Sequence, residues 1–269
     1  MRKIVEKYCE MPAPIKRPLW RFWHKLLIRF DKDTRAVFLN YGYHDEEASN
    51  RLHLKQEDES DRYCIQLYDV VASRLPLKRK DVIEVGSGRG GGASFLTRYY
   101  SPRTYRAFDI SADVVSFCNR YYDVEGLSFH KGCAENLPVK SGSCDVVVNV
   151  ESARCYRDIH QFFSEVKRIL RPGGHFLFAD MIPPGHLSKI RQSLQDRGFH
   201  IREQLNITKN VVTALTLDSA RREQIIQERI PGFLAKSFAQ FAGTRGTERF
   251  DAFNSGRFEY WTFQMENRV

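Results

Sequence analysis

No stretch of the 269 residues approaches the run of about 18 apolar side chains that a membrane-spanning helix needs. An apolar leader is not expected either, because Glu6, Lys7 and Glu10 interrupt the first residues with charge. The six cysteines (Cys9, Cys64, Cys118, Cys133, Cys144 and Cys155) include no Cys-x-x-Cys pair. A zinc knuckle is therefore not expected; free thiols in a reducing cytoplasm are. No cluster of His and Asp shows metal-ligand spacing, so no metal is expected. Internal repeats, long low-complexity segments and a recognisable RNA-binding module are also missing, and no nucleic-acid partner is expected. What remains is an ordinary globular composition, 42% apolar and 28% charged, long enough for one α/β-sized domain with a real core.

The net charge of +9 is unevenly placed. Residues 1–35 hold ten Lys or Arg against four Asp or Glu, and so supply most of it. Within them, Trp20, Trp23, Leu27 and Phe30 fall at helical spacing after Pro18, flanked by Arg17, Arg21, Lys25 and Arg29. One reading is a surface helix packing its aromatic face on the domain. The other is peripheral contact of residues 16–30 with a membrane surface or a lipid-like substrate.

The rest alternates strands with helices. Short β-branched or apolar runs at 81–85, 105–110, 127–131, 145–150, 175–180, 199–208 and 257–265 read as seven strands. Helices are expected over 60–75, 93–100, 112–122 with Ser111 as cap, 159–170 stopped by Arg171-Pro172-Gly173-Gly174, and 210–243. Such alternation means a mostly parallel sheet covered on both faces, with ligands at the carboxyl ends of its strands.

The first chemical signal follows the first strand. Glu84-Val85-Gly86-Ser87-Gly88-Arg89-Gly90-Gly91-Gly92 carries five glycines in seven positions. Gly86, Gly88 and Gly91 match G-x-G-x-x-G, and Asp109 lies 19 residues past Gly90, spaced for a ribose diol. Those features fit NAD, FAD and S-adenosylmethionine (SAM) alike. Glu84 breaks the tie, since a carboxylate there repels a pyrophosphate and welcomes the ammonium of SAM. A calorimetric titration of SAM against NAD separates a methyltransferase from a nicotinamide oxidoreductase.

With these residues on view, the chain resembles the class I SAM-dependent methyltransferases. It is most similar to the bacterial lipid and glycolipid O-methyltransferases that act on phthiotriol-type lipids and glycopeptidolipid sugars. The likeness runs from about Arg21 to the C-terminus and is closest over 82–181. It is carried by Phe38-Leu39-Asn40-Tyr41-Gly42-Tyr43, the glycine loop through Ser94, Ala134-Glu135-Asn136-Leu137-Pro138, Val148-Asn149-Val150-Glu151-Ser152 and Leu170-Arg171-Pro172-Gly173-Gly174.

The resemblance implies SAM as cofactor. Glu84 and the Gly86, Ser87 and Gly88 backbone would hold its methionine end. Asp109 would take the ribose and Ile110 the adenine face. Ala134 and Glu135 would line the adenine edge, Asn149 would sit near the sulfonium, and Tyr41 and Tyr43 would close over the top. Asn149 as a loop cap, and the tyrosines as simple packing, stay open as alternatives.

Two departures stand out. Relatives usually carry Asp where this chain has Cys133, a weak acceptor. They tend to carry His, a natural base, where it has Arg154, which cannot take a proton. Asp180 and then His186 are the substitutes for that base, or are loop residues. Arg154 itself is expected to hold an anionic group of the acceptor, such as a carboxylate, or to be a solvated rim residue.

Pattern and resemblance together give an α/β fold. It is a Rossmann-like, seven-stranded, mostly parallel sheet with helices on both faces, an N-terminal helical cover and a helical insertion before the last strand. The division is 1–60 basic amphipathic cover, 61–209 SAM-binding core, 210–250 acceptor-side insertion and 251–269 final strand. Ile225, Ile226, Ile230, Phe233, Leu234, Phe238 and Phe241 give the insertion an apolar face, either acceptor pocket or core. The expected function is methyl transfer from SAM to an oxygen of a small or lipid-like acceptor (alcohol, sugar hydroxyl or carboxylate). The alternatives are N- or C-methylation of a metabolite, RNA methylation, a non-enzymatic subunit of the same fold, and an NAD-dependent oxidoreductase. A cytoplasmic site, with or without membrane association, goes with either reading of residues 16–30.

Overall fold

The computed structural model describes residues 36–47 and 52–268. The basic segment 16–30 lies outside them. Seven strands form one sheet in the order β3-β2-β1-β4-β5-β7-β6. They are β1 (Asp81–Val85), β2 (Thr104–Asp109), β3 (Leu127–Lys131), β4 (Cys144–Val150), β5 (Leu170–Ile182), β6 (Phe199–Asn206) and β7 (Glu259–Asn267). The pairs from β3 through to β5 are parallel, and β7 runs antiparallel to both β5 and β6. The strand order reverses between β1 and β4, which opens a crevice at their carboxyl ends.

Eight α-helices among the described residues cover the sheet: α1 (Arg62–Ala72), α2 (Gly91–Tyr100), α3 (Ala112–Tyr121), α4 (Ile159–Ile169), α5 (Leu187–Asp196), α6 (Thr208–Arg229), α7 (Gly232–Ala242) and α8 (Glu248–Asn254). None is long and apolar enough to cross a membrane. The central strands β1 and β4 are buried on both faces, as a doubly covered sheet demands. Val82, Val146, Val148 and Leu177 point into one core with α1 and α2, whereas Ile83, Val85, Val147 and Phe176 point into another with α4.

Most sequence-based bounds agree within a residue or two, and the differences are local. Ser111 does cap its helix, accepting from Val114 N. The Arg171–Gly174 stop ends α4 and also lies inside β5, which starts at Leu170. The register jumps there from Cys144–Leu170 to Val146–His175, so Pro172 sits in a bulge where a missing N–H costs no ladder bond. Helix α5 has no counterpart among the expected helices, because its narrow stripe of Leu187, Ile190 and Leu194 is set among polar residues. The expected helix 210–243 is two helices, broken at Ile230 and Pro231. The cover is not helical over 36–47; that segment is an extended strap.

The strap is pinned by polar bonds. Tyr43 N donates to Tyr63 O at 2.9 Å, and Arg222 of α6 donates to the carbonyls of Asn40 and Tyr41, each at 3.1 Å. The insertion α6–α8 begins where β6 ends and returns where β7 begins. Since β7 is antiparallel, both points lie at the edge where β1–β5 finish, so the insertion sits beside the crevice.

Glycine is required at one helix start for space. A Cβ on Gly92 would lie 1.9 Å from the ring of Tyr68, whose hydroxyl is tied to Glu84. Gly92→Ala is therefore expected to destabilise the protein by about 1–3 kcal/mol through overpacking. A chemical-denaturation midpoint equal to that of the parent would refute this.

Candidate functional site

The glycine loop hangs from the end of β2. The N–H groups of Gly86 and Ser87 both donate to Phe108 O, at 2.8 and 3.1 Å. Gly86, Gly88 and Gly90 have φ of +78, +52 and +81°, values that L side chains resist. A Cβ on Gly88 would meet nothing within 4 Å, so that side of the loop is open. Ser87 Oγ is buried there with no hydrogen-bond partner.

Asp109 is half-buried at the end of β2 and accepts from Gly88 N at 3.1 Å and Ser111 N at 2.9 Å. Burial pushes its carboxyl up to about 6, against the pull of the Ser111, Gly88 and Ile110 amides. It is thus still an acceptor at neutral pH. An open glycine loop with an orphaned hydroxyl, next to a half-buried carboxylate, suits a nucleoside that offers a hydroxyl pair and an amino-acid tail. SAM fits the residues present.

The adenine side is more committed than expected. Ile110 is half-buried beside Asp109, and Ala134 is buried. Glu135 spends its carboxylate within the protein. Its Oε1 accepts from the N–H groups of Arg157 (2.7 Å) and Asp158 (3.3 Å), and Oε2 accepts from the Cys133 thiol (2.8 Å). Cys133 is therefore a donor to Glu135, and the pair braces the turn after β3 against the turn after β4.

Glu84 corrects the sequence argument. Its side chain has no exposed surface. Tyr68 Oη donates to Oε1 at 2.9 Å and Tyr105 Oη to Oε2 at 3.0 Å. In this conformation the carboxylate cannot touch a ligand. Burial pushes it up to about 7, with the two phenols lowering it in part. The residue supports the loop from beneath.

Asn149 lies at the end of β4, fully buried. Its Nδ2 donates to Val85 O at 2.8 Å and reaches the hydroxyls of Ser152 (2.7 Å) and Tyr156 (2.8 Å). Its Oδ1 has no partner. Both hydroxyls press against the loop, since a Cβ on Gly86 would meet Ser152 Oγ at 2.3 Å and Tyr156 Oη at 2.7 Å. Asn149 thus orients two hydroxyls at the loop.

The three residues given to catalysis part company. His186 is exposed at the N-terminal cap of α5. Asp180 and Arg154 do meet, but as partners. Arg154 Nη1 donates to Asp180 Oδ1 at 2.7 Å, and Arg154 N to Oδ2 at 3.1 Å. Met181 N adds a third bond to Oδ1 at 2.8 Å. Asp180, 2% exposed and holding three N–H donors, is not placed as a free base. Arg154 Nη2 lies 3.5 Å from Glu151 Oε2, and the guanidinium stands over the Tyr41 ring at 5.7 Å. Its charge faces the protein's own carboxylates where an acceptor anion was expected.

Glu151 is the residue that sequence reasoning missed. It stood in a quoted motif without a role. It follows β4 with φ of +53°, and its N–H donates to Ala179 O at 2.8 Å. Oε1 accepts from Tyr41 N at 2.7 Å and Tyr260 Oη at 3.0 Å. Burial raises its carboxyl, opposed by Arg154 and the two hydrogen bonds and reinforced by Asp180. Tyr41 itself is buried, its ring against Phe253, so the strap is held by packing and through its backbone. Tyr43 packs at the edge of the core. In the insertion, Ile226, Ile230 and Phe238 form a small core of their own, whereas Phe233 is 85% exposed.

Comparison with known proteins agrees with this fold. The methyltransferase domain family matches residues 83–178. A phthiotriol/phenolphthiotriol dimycocerosates methyltransferase of Mycobacterium tuberculosis is 34% identical over 242 residues, spanning 90% of this chain and 89% of that protein. A fatty-acid O-methyltransferase of Mycolicibacterium smegmatis is 36% identical over 214 residues, spanning 80% of this chain and 78% of that protein. Among solved structures, a geranyl diphosphate C-methyltransferase from Streptomyces coelicolor, bound to Mg2+, geranyl diphosphate and S-adenosyl-L-homocysteine, superposes with a TM-score of 0.62. That match covers 88% of this chain and 92% of that one at 17% identity, a likeness of fold.

Two stability effects follow from the buried charges. Between about 4.5 and 7 the folded protein keeps a proton on Glu84 that the unfolded chain has lost. Stability therefore falls as pH rises through that window, by on the order of 3 kcal/mol in full. Glu84→Gln should melt close to the parent near about pH 5 and above it near about pH 8; a melting difference that does not change with pH refutes this. Arg154→Ala leaves Glu151 and Asp180 buried without their cation, and should cost about 3–5 kcal/mol in a denaturant titration. A loss below about 1 kcal/mol would mean the cluster is solvated like a surface pair.

Proposed function

Because the chain belongs to the class I SAM-dependent methyltransferases, we propose that it transfers the methyl of SAM to an oxygen of a lipid-like acceptor. The observation that carries the acceptor class is the pair of relatives that span most of the chain. One is named for phthiotriol-type lipids and the other for fatty acids. SAM supplies an activated methyl on a sulfonium, so the protein needs only to bind, align and exclude water.

The chain's own parts suit those tasks. The open side of the Gly86–Gly88 loop takes the amino-acid tail, and Asp109 accepts from the ribose hydroxyls. Ile110 lies against the base. The Ser152 and Tyr156 hydroxyls, set by Asn149, border the loop where the tail passes. The strap closes the top, with Tyr41 N bonded to Glu151 and its carbonyl to Arg222. The insertion flanks the acceptor side, and the basic, tryptophan-bearing segment 16–30 suits an acceptor presented at a membrane surface.

The test is direct. The purified protein is incubated with SAM labelled in its methyl group and a cell lipid extract, and the labelled product is identified by mass. Label is expected in an apolar methyl ether or ester. Label recovered in RNA, or only in a water-soluble amine, overturns the proposal.

A further inference from the structure

We infer that Glu151 is the proton acceptor of the reaction, and that the acceptor oxygen is therefore an alcohol hydroxyl and not a carboxylate. This rests on the methyltransferase reading above and specifies its substrate class.

Position comes first. Glu151 directly follows β4 at the switch point of the sheet. Its neighbour Ser152 presses against Gly86 of the glycine loop. A non-glycine residue at φ +53° is strained, and such strain persists where the surroundings hold it. Here Ala179 O, Tyr41 N and Tyr260 Oη do so.

Availability comes second. Arg154 cannot take a proton, and Asp180 is held by three N–H donors. His186 is exposed at the start of α5. Glu151 holds two of its three donors on Oε1. Among the described residues, Oε2 meets the Arg154 guanidinium alone, at 3.5 Å. That guanidinium is the most exposed member of the cluster, with 20% of its side chain accessible against 5% for Glu151 and 3% for Asp180.

Charge comes third. Two carboxylates and one guanidinium leave the cluster at −1. The sulfonium of SAM brings +1, and a neutral alcohol leaves the balance at zero. As the alcohol oxygen forms its bond to the methyl carbon, the carbon–sulfur bond breaks and its electron pair stays on sulfur. The hydroxyl proton passes to Glu151 Oε2. Cluster, thioether and methyl ether are then all neutral, and the balance is still zero. A carboxylate acceptor would add a second negative charge beside Glu151 and Asp180, and it has no proton for Glu151 to take.

The groups facing Glu151 are Tyr41 on the strap, Tyr68 on α1, Arg154 in the turn, Asp180 on β5 and Tyr260 on β7. Burial outweighs the guanidinium and holds the carboxyl above its ordinary range, which suits a proton acceptor near neutral pH.

The probes are hexadecanol and hexadecanoic acid, each with methyl-labelled SAM, on the wild type and Glu151→Gln. The wild type should favour the alcohol by about tenfold or more, and the variant should lose about 100-fold in kcat on it. SAM affinity by calorimetry should fall far less than kcat, because the variant removes one charge that balances the sulfonium and leaves the rest of the cofactor's contacts in place. Gln keeps an oxygen for Tyr41 N and Tyr260. Wild-type kcat on the alcohol should also rise with pH along one ionisation, a limb the variant lacks. Infrared titration of the ligand-free wild type should show a carboxyl band above the ordinary range that disappears in Glu151→Gln. Preference for the acid, a variant within about threefold of the parent on the alcohol, or a wild-type profile flat with pH each overturns the inference. SAM uptake with no transfer to either probe overturns the acceptor class alone, whereas no SAM uptake by the wild type overturns the methyltransferase reading itself.

Discussion

Burying Glu151 at the end of β4 obliges distant parts of the chain to meet there. A carboxylate with 6% of its surface left must find donors inside the protein. The strap supplies Tyr41 N, the turn after β4 supplies Arg154, and β7 supplies Tyr260. Arg154 in turn fastens Asp180 of β5. Each of these contacts fixes something the site needs: the closed strap, the turn above the crevice, and the antiparallel strand whose start lies at the same edge. Stability and site geometry are thus one set of bonds.

A second buried carboxylate does a quieter task. Glu84 lies under the glycine loop between the phenols of Tyr68 and Tyr105. Tyr68 can stand there only because Gly92 has no side chain. The loop's shape therefore depends on packing from α1 and α2 as well as on its own glycines. The SAM assignment remains sound, but on other ground than an ion pair at Glu84. It stands on the open side of the loop, on Asp109 and on relatives alike over nine-tenths of the chain.

Much was legible beforehand because it is local. Strands such as Asp81–Val85 and Leu127–Lys131 announce themselves as short apolar or β-branched runs, and Ser111 and Arg171–Gly174 mark helix ends. The misses share a cause. Helix α5 has too narrow an apolar stripe to be seen against its polar residues, and the break at Ile230–Pro231 was hidden inside one long apolar pattern. At the site, residue types were visible but partners were not. The resemblance places Glu135 on the adenine edge, yet its carboxylate accepts from the thiol of Cys133 and from the turn after β4.

The order of residues alone determined the alternation of strands and helices, the glycine loop, and the acid at the end of β2, since each is written in neighbours a few positions apart. Folding decided which charges cancel. Whether Arg154 greets a ligand or Asp180, and whether Glu84 faces the crevice or two phenols, depends on groups 16 to 26 positions away brought within 3 Å. Burial in a low dielectric then makes those pairings decisive, and nothing in a linear chain records the distance across a folded sheet.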